Sequence, residues 1–229
     1  MRTIGLLGGM SWESTAEYYR IINESVRDRL GGTHSARLVL HSVDFHEIER
    51  FQHEDRWDLA TAAMIAGARS VAAGGAECLV ICTNTMHRMA DEVQAAIDIP
   101  LLHLADCTAK AVKAQSVGRP GLLGTRFTME HNFYRGRLEQ HGLDVVIPGA
   151  ADRTVIHDVI YEELVLGVIS PDSKAAYLDV ISRLIDAGAD GVIAGCTEIE
   201  LLVGADDVDV RYFPTTRLHA ESAVDWALS

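Results

Sequence analysis

Two cysteines sit in matching company: Cys82 in Ile81-Cys82-Thr83-Asn84-Thr85 and Cys196 in Gly195-Cys196-Thr197-Glu198. Each follows a short apolar run and precedes a polar turn. That pattern reads as the carboxyl end of a buried strand, the edge at which open α/β sheets bind ligands. Free backbone N–H groups of a helix starting after such a turn hold carboxylates and lower the pKa of a neighbouring thiol. Two thiols on opposite faces of a small anion suit one kind of chemistry. A thiolate removes a proton from carbon on one face while a thiol supplies one to the other; the stereocentre inverts, and exchanging the roles runs the reaction backward. Both groups then need pKa values near the working pH, which cysteine reaches when its thiolate is favoured. Each tenfold in rate is about 1.4 kcal/mol of barrier, so oriented donors must also stabilise the charge that develops on the carboxylate. A single strand-end cysteine is usually a small buried hydrophobe. Recurrence of the Cys-Thr pair lifts Cys82 and Cys196 above that reading, whereas Cys78 and Cys107 have no such echo and read as packing residues.

The elements that must position these thiols alternate in type. Thr3 to Met10 is a short apolar run ending in glycines, hence a buried strand and a tight turn. Ser14-Thr15-Ala16-Glu17 has capping-box spacing and predicts a helix that stops near Gly31-Gly32. Ala36 to Val43 reads as a second strand, the alanine-rich stretch 58–73 as a helix, and Glu77 to Cys82 as a buried parallel strand. Strands alternating with helices point to a parallel sheet covered by helices. The pattern is then written again: Gly5-Leu6-Leu7-Gly8-Gly9 is echoed 116 residues later by Gly121-Leu122-Leu123-Gly124-Thr125, and the segment around Cys82 by the segment around Cys196. The spacing from glycine-ended strand to cysteine is 77 residues in the first copy and 75 in the second, which indicates a duplication of whole α/β lobes. Within the second copy, Ser170-Pro171-Asp172 predicts a helix over about 171–187. Two such lobes facing each other would put Cys82 and Cys196 on opposite sides of one cleft.

Composition removes several other classes. A chain of 229 residues that is 48% hydrophobic can bury one or two cores, which excludes disorder. A net charge of -13 opposes binding to phosphate backbones, so nucleic acid is not an expected partner. Apolar runs of a few residues fall far short of the roughly 18 to 20 that span a membrane. No basic region and cleavage site are visible, so the expected location is the cytoplasm, with all four cysteines reduced. The chain has three lysines, Lys110, Lys113 and Lys174, all reading as exposed helix positions, so a pyridoxal-phosphate Schiff base has no evident candidate. His46-Glu47-Ile48-Glu49-Arg50 lacks the second histidine of a zinc helix, and no metal site is expected. Neither glycine loop has dinucleotide or Walker spacing. His87, five residues beyond Cys82, raises a Cys–His hydrolase, but a single nucleophile leaves Cys196 unexplained; on a helix after the turn His87 would orient or satisfy nearby polar groups.

These residues resemble the cofactor-independent aspartate/glutamate racemase family, particularly its broad-specificity amino-acid racemase branch. The resemblance is carried by Gly8-Gly9-Met10-Ser11-Trp12-Glu13-Ser14-Thr15, Val43-Asp44-Phe45, Cys82-Thr83-Asn84-Thr85-Met86-His87, Leu123-Gly124-Thr125-Arg126-Phe127-Thr128-Met129 and Gly195-Cys196-Thr197-Glu198-Ile199, and covers essentially the whole chain. It implies an α/β fold of two pseudosymmetric Rossmann-like lobes with parallel four-stranded sheets and the active site in the cleft between them. The N-terminal lobe would comprise 1–98 plus 213–229 and the C-terminal lobe 99–212. It implies no cofactor, a homodimer, a free amino acid as substrate, Cys82 and Cys196 as alternating acid and base, and substrate contacts from Met10, Gln52, Thr83, Asn84, Thr85, Thr125 and Thr197. One departure bears on specificity. Some aspartate-specific relatives grip the side-chain carboxylate with a lysine near the segment that here reads Tyr161-Glu162-Glu163. An acidic residue cannot serve that carboxylate, so strict aspartate specificity is not expected. Glu163 reads either as a partner for a substrate ammonium or longer polar side chain, or as part of a solvated helix face. Arg50 and Arg126 read as carboxylate partners or as surface charge. The alternatives are related cysteine chemistry on a small carboxylate, as in hydantoin racemases, maleate isomerases or malonate decarboxylases, and a non-catalytic amino-acid-binding protein.

Overall fold

The computed structural model describes residues 1–229 and divides into two units, one of residues 1–104 with 219–229 and one of residues 105–218. The first unit runs β1 (Ile4–Gly8), α1 (Trp12–Leu30), β2 (Leu38–Ser42), α2 (Phe45–His53), α3 (Trp57–Ala73), β3 (Cys78–Ile81), a 3-10 turn at Thr85–Met89, and α4 (Ala90–Ala95). Its strands are parallel in the order β2-β1-β3. Every residue of β1 and β3 is buried, as expected of a parallel sheet covered on both faces. Ile4, Leu6, Val80 and Cys82 pack with Tyr18, Ile21, Ile22 and Val26 of α1, while Leu7, Leu79 and Ile81 pack with Met64, Ala68 and Val71 of α3. Each Leu or Ile so buried contributes about 1.5 to 3 kcal/mol, which outweighs the weak helix propensity of the β-branched residues in α1. Gly5 lets α3 approach closely: a Cβ there would lie 2.2 Å from Val71 Cγ1 and 2.7 Å from the Cys78 carbonyl oxygen.

The chain crosses to the second unit within α5 (Leu104–Ala114). There follow β4 (Pro120–Gly124), α6 (Arg126–Glu130), α7 (Asn132–Gln140), α8 (Ala150–Glu162), α9 (Pro171–Asp186), β5 (Gly191–Gly195), α10 (Ile199–Leu202), β6 (Arg211–Pro214) and α11 (Thr215–Leu228). The strands are again parallel, in the order β4-β5-β6. Leu123, Val192 and Ala194 pack with Ile156 and Ile160 of α8 and with Tyr177, Val180, Ile181 and Leu184 of α9. α11 leaves this unit after Leu218, and its remainder belongs to the first. No helix is long and apolar enough to cross a membrane.

Three expectations need correction. The sheets have three strands each, not four. In each unit a further segment makes one parallel bridge, Leu101 to Leu79 and Val146 to Gly121. Pro100 and Pro148 lie one and two residues from those bridges, and proline has no N–H with which to extend a ladder. Counting the bridges, both units carry their segments in the order second, first, third, fourth; the fourth is reduced in the first unit and the second in the second unit. The unit boundaries lie six residues beyond 98 and 212, since the Leu101 bridge keeps 99–104 with β3 and β6 pairs with β5. Finally, α1 starts at Trp12 rather than at the Ser14 box, because Ser11 is its cap and accepts the Ser14 N–H at 3.2 Å. The expected end at Gly31 (φ +75) and the Pro171 start of α9 are as read from the sequence.

Candidate active site

In the first unit the carboxyl ends of β1 and β3 lie side by side, the Cys82 N–H donating to the Leu7 carbonyl at 2.9 Å. After β1 the chain turns through Gly9 (φ +91), where a Cβ would lie 2.3 Å from the Val43 carbonyl. Thr15 fastens this turn: its Oγ1 accepts the Gly9 N–H at 2.8 Å and donates to the Ser11 carbonyl at 2.9 Å. Met10 is thereby held in one buried cluster with Ile48 of α2 and Met86. Gln52, also on α2 and buried, donates from Nε2 to Met86 Sδ at 3.2 Å. Met10, Gln52 and the turn that carries Cys82, Thr83, Asn84 and Thr85 therefore meet through Met86. Asn84 and Thr85 are buried and Thr83 half-buried. Cys82 is fully buried, its Sγ 3.9 Å from the Val80 carbonyl, and Ser14 Oγ donates to the Cys82 carbonyl at 3.4 Å.

In the second unit Gly124 and Gly195 pair in register, so Thr125 and Cys196 leave neighbouring strands at the same edge. The strands need glycine there: a Cβ on Gly195 would lie 2.6 Å from the Leu123 carbonyl oxygen. Thr125 caps α6, its Oγ1 accepting the Thr128 N–H at 3.3 Å. The Cys196 thiol donates to Glu198 Oε2 at 2.8 Å. Thr216, just after β6, donates from Oγ1 to Thr197 Oγ1 at 2.8 Å, and Thr215 Oγ1 donates to the Ala194 carbonyl at 2.7 Å. Glu163 is half-buried at the end of α8, where its Oε2 accepts the Ser173 hydroxyl at 2.6 Å. Burial pushes the Tyr177 hydroxyl pKa up, and the carboxylates of Glu163 and Glu198 reinforce the shift, as would Cys196 if it lost its proton, so these groups share one electrostatic neighbourhood.

Neither thiol pKa is depressed, contrary to expectation. Burial pushes Cys82 well up from the ordinary thiol value. Cys196 is also pushed well up, first by burial and then by the Glu198 carboxylate beside it. The helices that follow are too short to counter this: α10 has four residues, and the turn after Cys82 is a five-residue 3-10 segment. Both cysteines rest as thiols. Cys78 is likewise raised by burial, to about 12, in keeping with a packing role.

Arg50 and Arg126 are exposed, Arg50 over the Phe51 ring, and Arg126 gives its backbone N–H to His157 Nδ1 at 3.3 Å. Lys110 and Lys113 are exposed as expected; Lys174 is half-buried and paired with Asp207 at 2.7 Å. Sequence reasoning did not single out Glu198, Thr215 or Thr216 as site residues. The signals were a carboxylate two residues after Cys196, and a Thr pair directly after the run Tyr212-Phe213-Pro214.

Comparison with known proteins extends these observations to the whole chain. The family model described as Asp/Glu/Hydantoin racemase matches residues 7–223. The broad specificity amino-acid racemase RacX of Bacillus subtilis is 21% identical over 99% of this chain and 98% of its own. Among solved structures, the "putative Asp/Glu Racemase" from Yersinia pestis is 53% identical with a TM-score of 0.94, both chains covered in full. PH1733 of Pyrococcus horikoshii OT3, described as an aspartate racemase homologue, is 30% identical with a TM-score of 0.87, again over the whole of both chains.

Proposed function

The chain belongs to the Asp/Glu/hydantoin racemase family, and on that premise we propose that it is a racemase of free amino acids that works without a cofactor. Cys82 and Cys196 act as acid and base on opposite faces of Cα. The observation that carries this reading is the pair of buried thiols following β3 and β5, each at the carboxyl edge of a parallel sheet.

In one direction a thiolate takes the α-proton, the electron pair passes into the carboxylate as an enediolate, and the opposed thiol protonates the other face. The first cysteine ends as a thiol and the second as a thiolate, which is the form that acts on the product enantiomer. Excluding water strengthens the donors that hold the enediolate and raises the barrier to making a thiolate. Glu198 answers the second problem for Cys196. Passing the thiol proton across 2.8 Å to Oε2 creates a thiolate without changing the charge of the pair. We assign substrate contacts to Met10, Gln52, Thr83, Asn84, Thr85, Thr125 and Thr197, and the substrate ammonium or a polar side chain to Glu163, with a homodimer as the working assembly. Substrates are aspartate, glutamate and amino acids with other side chains.

The test is proton NMR in D2O with single-enantiomer aspartate, glutamate, homoserine and methionine, using protein free of metal and pyridoxal phosphate. Loss of the α-proton signal together with optical rotation is expected for the wild type, and no racemisation for Cys82→Ala or Cys196→Ala. Full racemisation by either single variant refutes the two-base assignment.

A further inference from the structure

His87 is 2% exposed, and both of its ring nitrogens are committed. Nδ1 lies 2.7 Å from the Thr83 carbonyl oxygen, which can only accept, so Nδ1 carries a proton. Nε2 lies 3.2 Å from the backbone nitrogen of Leu104, which can only donate, so Nε2 presents its lone pair. The two contacts select one neutral tautomer; a second proton on the ring would point at the Leu104 N–H. Thr83 follows Cys82 directly, and Leu104 is the last residue of the first unit before the chain crosses to the second. A second histidine, His219, stands where the chain returns. It is fully buried, donates from Nε2 to the Leu102 carbonyl at 2.7 Å and accepts the Tyr18 hydroxyl on Nδ1 at 2.9 Å. The His87 and His219 ring centroids are 5.6 Å apart.

We propose that His87 is a positioning residue for Cys82: its Nδ1–H holds the Thr83 carbonyl, while its Nε2 takes the Leu104 N–H and ties the Cys82 turn to the outgoing end of the first unit. The backbone around Cys82 has need of such a tie. Its N–H is bound to β1 and its carbonyl takes a hydroxyl at 3.4 Å, so the next carbonyl, that of Thr83, decides how the turn leaves the strand. A displacement of about 1 Å in a reacting group costs on the order of a hundredfold in rate, and a buried ring with both nitrogens bonded resists such a shift.

The kinetic arm rests on the racemase reading; two other measurements do not. Long-range proton–nitrogen NMR of the 15N-labelled wild type, with the His87 signals assigned by their loss in His87→Asn, should show the Nδ1–H tautomer of His87 and the Nε2–H tautomer of His219. Labelling of Cys82 by a small thiol reagent, followed by peptide mass spectrometry, needs no turnover. It should be at least about tenfold faster in His87→Ala and His87→Gln than in the wild type, with His87→Asn restoring the slow rate, because Asn keeps a donor at the δ position and Gln moves it to ε. In turnover, His87→Ala should lose on the order of 10- to 100-fold in kcat with KM within about twofold, and His87→Asn should recover most of the loss. An Nε2–H tautomer at His87, or Asn and Ala variants that label alike, overturns the proposal whether or not the protein racemises anything. An inactive wild type with the expected tautomer and labelling pattern overturns the racemase reading alone.

Discussion

His219 makes the acid stability of the protein calculable. Burial lowers its pKa from 6.5 to about 4, with the Leu102 carbonyl pulling the other way. The groups that face it are the Tyr18 hydroxyl, the Leu102 carbonyl and the His87 ring, none of them a carboxylate. The unfolded chain binds a proton at position 219 near pH 6.5 and the folded chain near 4, so between these values unfolding takes up a proton. The stability tied to the neutral ring is thus fully present above about pH 6.5 and is lost as the pH falls toward 4. At pH 5.0 the two binding curves differ by about 30-fold in the folding equilibrium, which is about 2 kcal/mol, whereas at pH 7.5 they differ by almost nothing. The variant is His219→Gln, whose amide keeps a donor for Leu102 but does not titrate. It should be less stable than the wild type at pH 7.5, since the Tyr18 hydroxyl loses its acceptor, at about 1 to 3 kcal/mol. Between pH 7.5 and 5.0, however, the wild type should lose about 2 kcal/mol more than the variant, or roughly 4 to 8 °C more in melting temperature. Carboxylates elsewhere titrate equally in both proteins and cancel in the comparison. Identical losses in the two proteins would refute the reasoning.

Other outcomes follow from geometry near Cys196. Gly195→Ala puts a Cβ 2.6 Å from the Leu123 carbonyl on the neighbouring strand; it should lower stability by about 1 to 3 kcal/mol in a denaturant titration, and a variant as stable as the wild type would show that β4 and β5 separate freely there. Glu198→Gln removes a charge that raises the Cys196 pKa. Thiolate absorbance near 240 nm should therefore appear at lower pH in the variant; an unchanged titration would mean that the carboxylate does not act on the thiol.

The parts of the fold that were legible in the sequence are those set by local chemistry. Apolar runs closed by glycines give β1 and β4, and Ser170-Pro171 starts α9, because strand burial and helix capping depend on a few neighbouring residues. The start of α1 was misplaced because Ser11 and Ser14 are both competent caps, and only the tertiary turn at Gly9 selects Ser11. The number of strands could not be read either. Leu101 and Val146 lie in apolar stretches that look like strands, yet each supplies a single bridge. At the candidate site, the strand-end placement of the two thiols is legible in their repeated surroundings, whereas their acidity is not. Helix N-termini are visible in a sequence, whereas the depth of burial that overrides them is not. The partners Thr216 and Leu104 join residues close in space but distant in chain, with no pattern of their own.

Cys196 has a carboxylate at 2.8 Å, while the Cys82 sulfur has a backbone carbonyl at 3.9 Å. For a reaction between mirror images the equilibrium constant is one, so kcat/KM must be equal for the two enantiomers whatever surrounds the thiols. Under the proposed two-thiol mechanism, the inequality of the two sulfurs is therefore confined to how free enzyme divides between its two protonation forms, and to kcat and KM taken separately. A racemase working by that mechanism would be even-handed at equilibrium and handed at saturation, with one enantiomer met by the more abundant form of the enzyme.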